Sequence, residues 1–219
     1  MKTNEELQKD VQDAIKWEPL LNAAEIGVTA KNGVITLTGV VDSYAKKIEA
    51  EKAAKSVSGV KAIAETIEIN FGTWYKKNDT ELANDVLDTF KWSWKVPGNQ
   101  IKVKIENGWV TLEGEVSWNF QSEAAKISIE NLTGVKGVEN NIIIKPDHVD
   151  PIEQKDIENA IERNWSMGNH QINVLVVGNS VTLTGRINSL FQKDEAERIV
   201  WKTPGVNAID NQLVIGYDD

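Results

Sequence analysis

Apolar residues stand four apart at Leu7, Val11 and Ile15, behind the polar opening Thr3-Asn4-Glu5-Glu6. That spacing predicts an amphipathic helix with an N-cap and acids in its first turn. Pro19 ends it. Ile26, Val28 and Ala30 then alternate with polar residues as a strand. A tight Asn32-Gly33 turn follows, and Val34-Ile35-Thr36-Leu37-Thr38-Gly39 predicts the returning strand of a hairpin. A helix from about Ser43 to Val57, with Ala50, Ala54 and Val57 on one face, ends at Gly59, and Val60 to Ile69 reads as a third strand.

The same order is written twice more. Leu82, Val86 and Phe90 mark a helix, and Ile101, Val103 and Ile105 a strand. Asn107-Gly108-Trp109-Val110-Thr111-Leu112-Glu113-Gly114 is the hairpin, and a second helix carries Phe120, Ala125, Ile129 and Leu132, ends at Gly134 and leads to Val138, Ile142 and Ile144. In the last third the series is Ile157, Ile161 and Trp165, then Ile172, Val174 and Val176, and the hairpin Gly178-Asn179-Ser180-Val181-Thr182-Leu183-Thr184-Gly185. Phe191, Ala196 and Val200 follow on a helix, and Ile209, Leu213 and Ile215 on a strand. A repeat at this period takes precedence over a division by length alone. The chain therefore reads as α+β, three tandem small domains at 1–72, 73–147 and 148–219, each helix-strand-strand-helix-strand.

Glycines punctuate every unit at one spacing: Gly39 and Gly59, Gly114 and Gly134, Gly185 and Gly205. The second of each pair suits a left-handed helix terminus, where a residue with a Cβ costs on the order of 1 kcal/mol. The first suits a sharp exit from strand to helix. Linkers fall near Gly72-Thr73-Trp74 and between Pro146 and Pro151.

Composition narrows the chemistry. The 219 residues contain no cysteine, which excludes disulfides and thiolate metal sites. Net charge is −9 and all three units are acidic, so the clustered cations that release counterions from phosphate are missing. Lys76-Lys77 and Lys102 with Lys104 are too sparse to drive nucleic-acid or anionic-membrane binding alone. Neither an apolar stretch near the start nor a run of 18 apolar residues occurs, and the reading is a soluble, cytoplasmic protein.

The hairpins ending in Thr-Leu-x-Gly, the charged helix rich in alanine, the Gly-Val step (Gly59-Val60, Gly134-Val135, Gly205-Val206) and the strands Val138-x-Asn140-x-Ile142 and Ile209-x-Asn211-x-Leu213 resemble the BON domain, in three tandem copies. In the first unit Glu65 stands where the others have Asn140 and Asn211. That family is known from bacterial osmotically inducible and nodulation-associated envelope proteins. The resemblance implies two helices on a three-stranded mixed sheet in each unit. It also implies a non-enzymatic binding role in stress or envelope maintenance, with phospholipid surfaces the usual proposal and no cofactor.

Candidate chemistry is thin. The two histidines, His148 in a linker between Asp147 and Asp150 and His170 before a strand, read as solvated rather than as metal ligands. Gly134-Val135-Lys136-Gly137 matches the GxxG clamp of KH domains, but it occurs once, in an acidic chain. The charged face Lys46, Lys47, Glu49, Glu51, Lys52 and Lys55 reads as solvated surface with pairs three and four residues apart. Tryptophan is the unusual feature. Trp17 and Trp92 align at the end of the first helix, as do Trp94 and Trp165, and these are read as closing the core. Trp109, Trp118 and Trp74 are surplus, and they either pack between units, the simpler reading, or form an exposed binding site.

The sequence thus points to a binding protein for phospholipid surfaces or an envelope-linked partner. Two alternatives stand beside it: a cytoplasmic protein–protein scaffold, and a small-ligand or ion sensor with its site between domains.

Overall fold

The structure is a computed structural model, and it describes residues 2–72, 77–146, 151–167 and 172–216. Trp74, His148 and His170 lie outside the described residues, as does the side chain of Trp165. Among the described residues, six helices and nine strands are laid out in three copies of one plan. The first copy is α1 (Asn4–Trp17), β1 (Ile26–Lys31), β2 (Val34–Val41), α2 (Tyr44–Ser56) and β3 (Ala62–Ile69). The second is α3 (Asp79–Trp92), β4 (Ile101–Glu106), β5 (Trp109–Val116), α4 (Asn119–Glu130) and β6 (Gly137–Ile144). The third is α5 (Gln154–Glu162), a 3-10 turn (Trp165–Met167), β7 (Ile172–Val177), β8 (Ser180–Ile187), α6 (Leu190–Val200) and β9 (Ala208–Ile215).

Each copy builds its own three-stranded sheet, in the orders β1-β2-β3, β4-β5-β6 and β7-β8-β9. The hairpin strands are antiparallel, with Ile101 opposite Gly114 and Val103 opposite Leu112. The third strand joins in parallel, placing Val110 beside Val138 and Leu112 beside Asn140. The last copy repeats this with Ile172 opposite Gly185 and Leu183 beside Asn211. Alternation does the sorting, since successive side chains on a strand face opposite ways. Val110, Leu112 and Val116 are buried under the helices with Leu82, Val86, Phe90, Ala125 and Ile129, while Lys102, Lys104, Glu113 and Glu139 stand on the open face.

The helices begin at designed polar starts. Thr3 and Asn78 each accept from the backbone of the residue three along, and the glutamates Glu6 and Glu81 reach back to the cap, forming capping boxes. The same turn is tied to the hairpin. Asn4 Oδ1 accepts from the Asn32 backbone N–H at 2.8 Å, and Asp79 accepts from Asn107 and Gly108 at 2.7 and 3.0 Å. The first helix of a unit therefore starts at the hairpin end of its sheet and finishes at the opposite end.

The motif asparagines fasten the third strand. Asn140 Nδ2 donates to Ser122 Oγ at 2.8 Å, and its Oδ1 accepts from Ile142 N–H at 3.3 Å. Asn211 repeats the arrangement, donating to the Lys193 carbonyl at 3.0 Å and accepting from Leu213 N–H at 3.3 Å. One side chain thus joins strand to helix and occupies an amide on the strand's outer edge, which keeps that edge from pairing further.

By their contacts the residues gather into two compact units. Met1–Val40, Ile48–Glu68 and His148–Asp219 form one, and Val41–Lys47 with Ile69–Asp147 form the other. Most of the first repeat thus shares a unit with the third, while Val41–Lys47 goes with the middle repeat. Within the shared unit the Gly59 N–H donates to the Asn188 carbonyl at 3.1 Å, and Lys55 Nζ meets Asp194 Oδ2 at 2.9 Å. Lys55, read from the sequence as solvated, therefore pairs across repeats as well as with Glu51.

Candidate binding surface

Three of the aromatic residues read as core are on the surface. Trp17 is 83% exposed, Trp92 89% and Trp94 86%. The reason is angular. A helix turns about 100° per residue, so a residue two places beyond a buried one points to the opposite side. Trp17 is two beyond buried Ile15, and Trp92 is two beyond buried Phe90. The same offset turns two phenylalanines outward. Phe120 lies two before buried Ser122 and is exposed, and Phe191, at the equivalent place on α6, is exposed as well.

Trp109 and Trp118 also face outward, at 57% and 41% exposure. They are not brought together. They flank β5 at opposite ends, roughly 25 Å apart at the rise of a strand. Trp109 lies over Gly137 on the neighbouring strand, where any Cβ would collide with the indole ring. That contact also disposes of the GxxG reading. Gly137 is buried beneath the ring, and Lys136 N–H is bonded to the Gly108 carbonyl at 2.8 Å, so this backbone is engaged inside the domain.

Trp118 shares its end of the domain with other exposed aromatic residues. Because α3 starts at the hairpin, its far end carries Trp92 and then Trp94 to the same end of the domain at which β5 runs out into Trp118 and Phe120. Exposed Ile143 is at that end of β6, and Lys95 Nζ stands 5.4 Å from the Trp94 ring centroid, a cation–π distance. The first repeat places Trp17 and exposed Leu20 at its corresponding end. Indoles so open, beside an ammonium group, suit an interface that is apolar on one side and wet on the other. The sequence signal for this end was present in Ile15-Lys16-Trp17 and Phe90-Lys91-Trp92, had the 200° offset been applied to the tryptophans.

The structural glycines adopt backbone conformations that side chains resist. Gly39, Gly114 and Gly185 have φ of 137°, 148° and 138°, and a Cβ at Gly114 would run into the Gln100 carbonyl oxygen. Gly59, Gly134 and Gly205 have φ of 99°, 105° and 88° at the ends of α2, α4 and α6.

In the third repeat a carboxylate on α6 is tied to groups of its own domain. Glu195 is paired with Arg198 through bonds of 2.6 and 2.5 Å and accepts from Asn164 Nδ2 at 2.8 Å. Arg198 holds the Glu195 carboxyl below its usual range, against burial, which works the other way. Among the described residues no group of three or more histidine, aspartate or glutamate side chains is placed to hold a metal ion, and no helix is long and apolar enough to cross a membrane.

The chain is one α+β module in three copies, with exposed aromatic residues at the ends of the first helices of the first two. The BON domain model matches residues 3–70, 78–146 and 150–217, and the chain belongs to the BON domain family. Among curated proteins, Osmotically-inducible protein Y of Escherichia coli (strain K12) is 29% identical over 129 residues, which is 57% of this chain and 64% of that protein. The chain thus spans less than two thirds of that relative's length. Among solved structures, the C-terminal domain of CdsD, the structural protein of the Type III secretion system of Chlamydia trachomatis, aligns over 99% of this chain and 100% of that one, at 16% identity and a TM-score of 0.26.

Proposed function

We propose that this chain is a non-enzymatic, stress-associated binding protein that docks on phospholipid surfaces through the aromatic ends of its BON domains. The observation that supports this reading is the exposure of Trp17, Trp92 and Trp94 at the ends of first helices, where they cover no core. Aromatic rings with a lysine beside them anchor at a headgroup boundary, the ring in the apolar layer and the cation in the polar one. Stress induction comes from likeness to the osmotically inducible relative, and non-enzymatic character from the family.

Liposome flotation with neutral and with anionic vesicles, read alongside intrinsic tryptophan emission, tests the proposal. Docking predicts coflotation with a blue shift, lost in Trp92→Ala/Trp94→Ala and retained in Trp109→Ala. Absence of coflotation with either vesicle, or binding unaffected by the double change, would overturn it and direct the search to an envelope-linked protein partner.

A further inference from the structure

The first two hairpins turn on the same dipeptide in the same conformation. Asn32 and Gly33 have φ of 53° and 85°, and Asn107 and Gly108 have φ of 54° and 84°. Asparagine before glycine is the pair most open to attack by a backbone nitrogen on the preceding side chain, because glycine has no side chain to shield its amide. The attack needs a glycine N–H that is free to lose its proton and to turn the nitrogen lone pair onto the asparagine Cγ. In that respect the two turns differ.

The difference comes from the helix that starts beside each turn. α3 begins with Asp79, and a carboxylate has two acceptor oxygens. Oδ2 takes the Asn107 N–H at 2.7 Å and Oδ1 takes the Gly108 N–H at 3.0 Å. Gly108 is buried, and its carbonyl accepts from the Lys136 N–H at 2.8 Å, so this turn is fastened on both sides. α1 begins with Asn4, and a carboxamide has one acceptor oxygen. It takes the Asn32 N–H at 2.8 Å, and among the described residues the Gly33 N–H has no acceptor. Asn32 itself is exposed. The third turn meets neither condition: Asn179 is followed by Ser180, and its side-chain amide donates to the Gly205 carbonyl at 2.6 Å.

We propose that Asn32 is a site of spontaneous deamidation, a change from which Asp79 shields Asn107. The Gly33 nitrogen gives up its proton and bonds to Asn32 Cγ, the Cγ–Nδ2 bond breaks, and ammonia leaves with a proton to close a succinimide. Water then opens the ring at Cγ, giving aspartate, or at the main-chain carbonyl carbon, giving isoaspartate. Either product adds a negative charge to a chain already at −9. Isoaspartate also routes the backbone through Cβ and lengthens the turn that Asn4 holds.

The full chain, kept folded at mildly alkaline pH and sampled over time, tests this by tryptic mapping, since Asn32 and Asn107 fall on different fragments. Conversion is read as the mass gained when the side-chain amide becomes an acid, and isoaspartate by methyltransferase labelling. Asn32 is expected to convert about tenfold faster than Asn107 in the folded chain, the order of effect of one hydrogen bond to a charged acceptor. In guanidinium the two sites should convert at similar rates. Asn4→Asp supplies the second oxygen at a helix start that favours an acid. It should slow Asn32 to the rate of Asn107, a change that unfolding could not produce. Asp79→Asn should in turn speed Asn107. Equal rates at the two sites in the folded chain would overturn the proposal, and so would an Asn32 rate unmoved by Asn4→Asp.

Discussion

At the scale of single residues the third strand depends on one asparagine in each of the last two repeats. Asn140 satisfies Ser122 on α4 and an amide on its own strand, so Asn140→Ala leaves a buried hydroxyl and a half-buried amide without their partner. Such a loss costs about 1 to 3 kcal/mol, and Asn140→Ala should lower the denaturant midpoint of the middle domain while leaving the slope of the transition unchanged. Glu195 gives the third repeat a pH dependence. Its folded pKa is lowered by Arg198, so the stabilisation is present above the ordinary carboxylate range and is lost as pH falls through the lowered value. Thermal melts taken downward from neutral pH should show the third repeat weakening on the acid side, and Glu195→Gln should flatten that dependence. A change with the same slope in both proteins would remove Glu195 as its source.

The elements were largely legible before any coordinates, because burial on one face imposes a period that the sequence must obey. Leu7, Val11 and Ile15 lie buried on α1, and Val110 and Leu112 are buried on β5 as the alternation requires. What misled was residue type set against position. Tryptophan and phenylalanine suggest core, yet Trp17, Trp92, Phe120 and Phe191 stand about 200° from a buried neighbour. Asn140 and Asn211 were recognisable as a motif, but its work on a strand edge depends on a partner helix that one-dimensional pattern does not place. The hairpin tie tests this scale. Asp79→Ala removes the acceptor for two turn amides and should destabilise the middle domain by roughly 1 to 2 kcal/mol. Asp79→Asn keeps one oxygen acceptor and should recover part of the loss; an equal loss in both variants would point to charge at the helix start instead.

For the whole molecule, the pairing of first and third repeats is the feature that sequence order hides. Lys55 and Asp194 are ordinary members of charged helix faces, and nothing in their spacing marks two residues so far apart in the chain as partners. Both side chains are partly solvated, so the ion pair itself contributes no more than about 1 kcal/mol and weakens with salt. Its value is as a reporter, because the Gly59 N–H beside it is bonded to Asn188 across the same contact. Asp194→Lys sets two cations against each other and should speed hydrogen exchange at the Gly59 amide without affecting the Lys61 amide, which is bonded to Gly33 inside the first repeat. Lys55→Asp should produce the same acceleration, and Lys55→Asp/Asp194→Lys, which restores opposite charges, should slow Gly59 exchange again. Acceleration in the double variant as large as in either single one would show that the ion pair plays no part in holding the two repeats together, leaving that role to the backbone bond and the apolar surface around it.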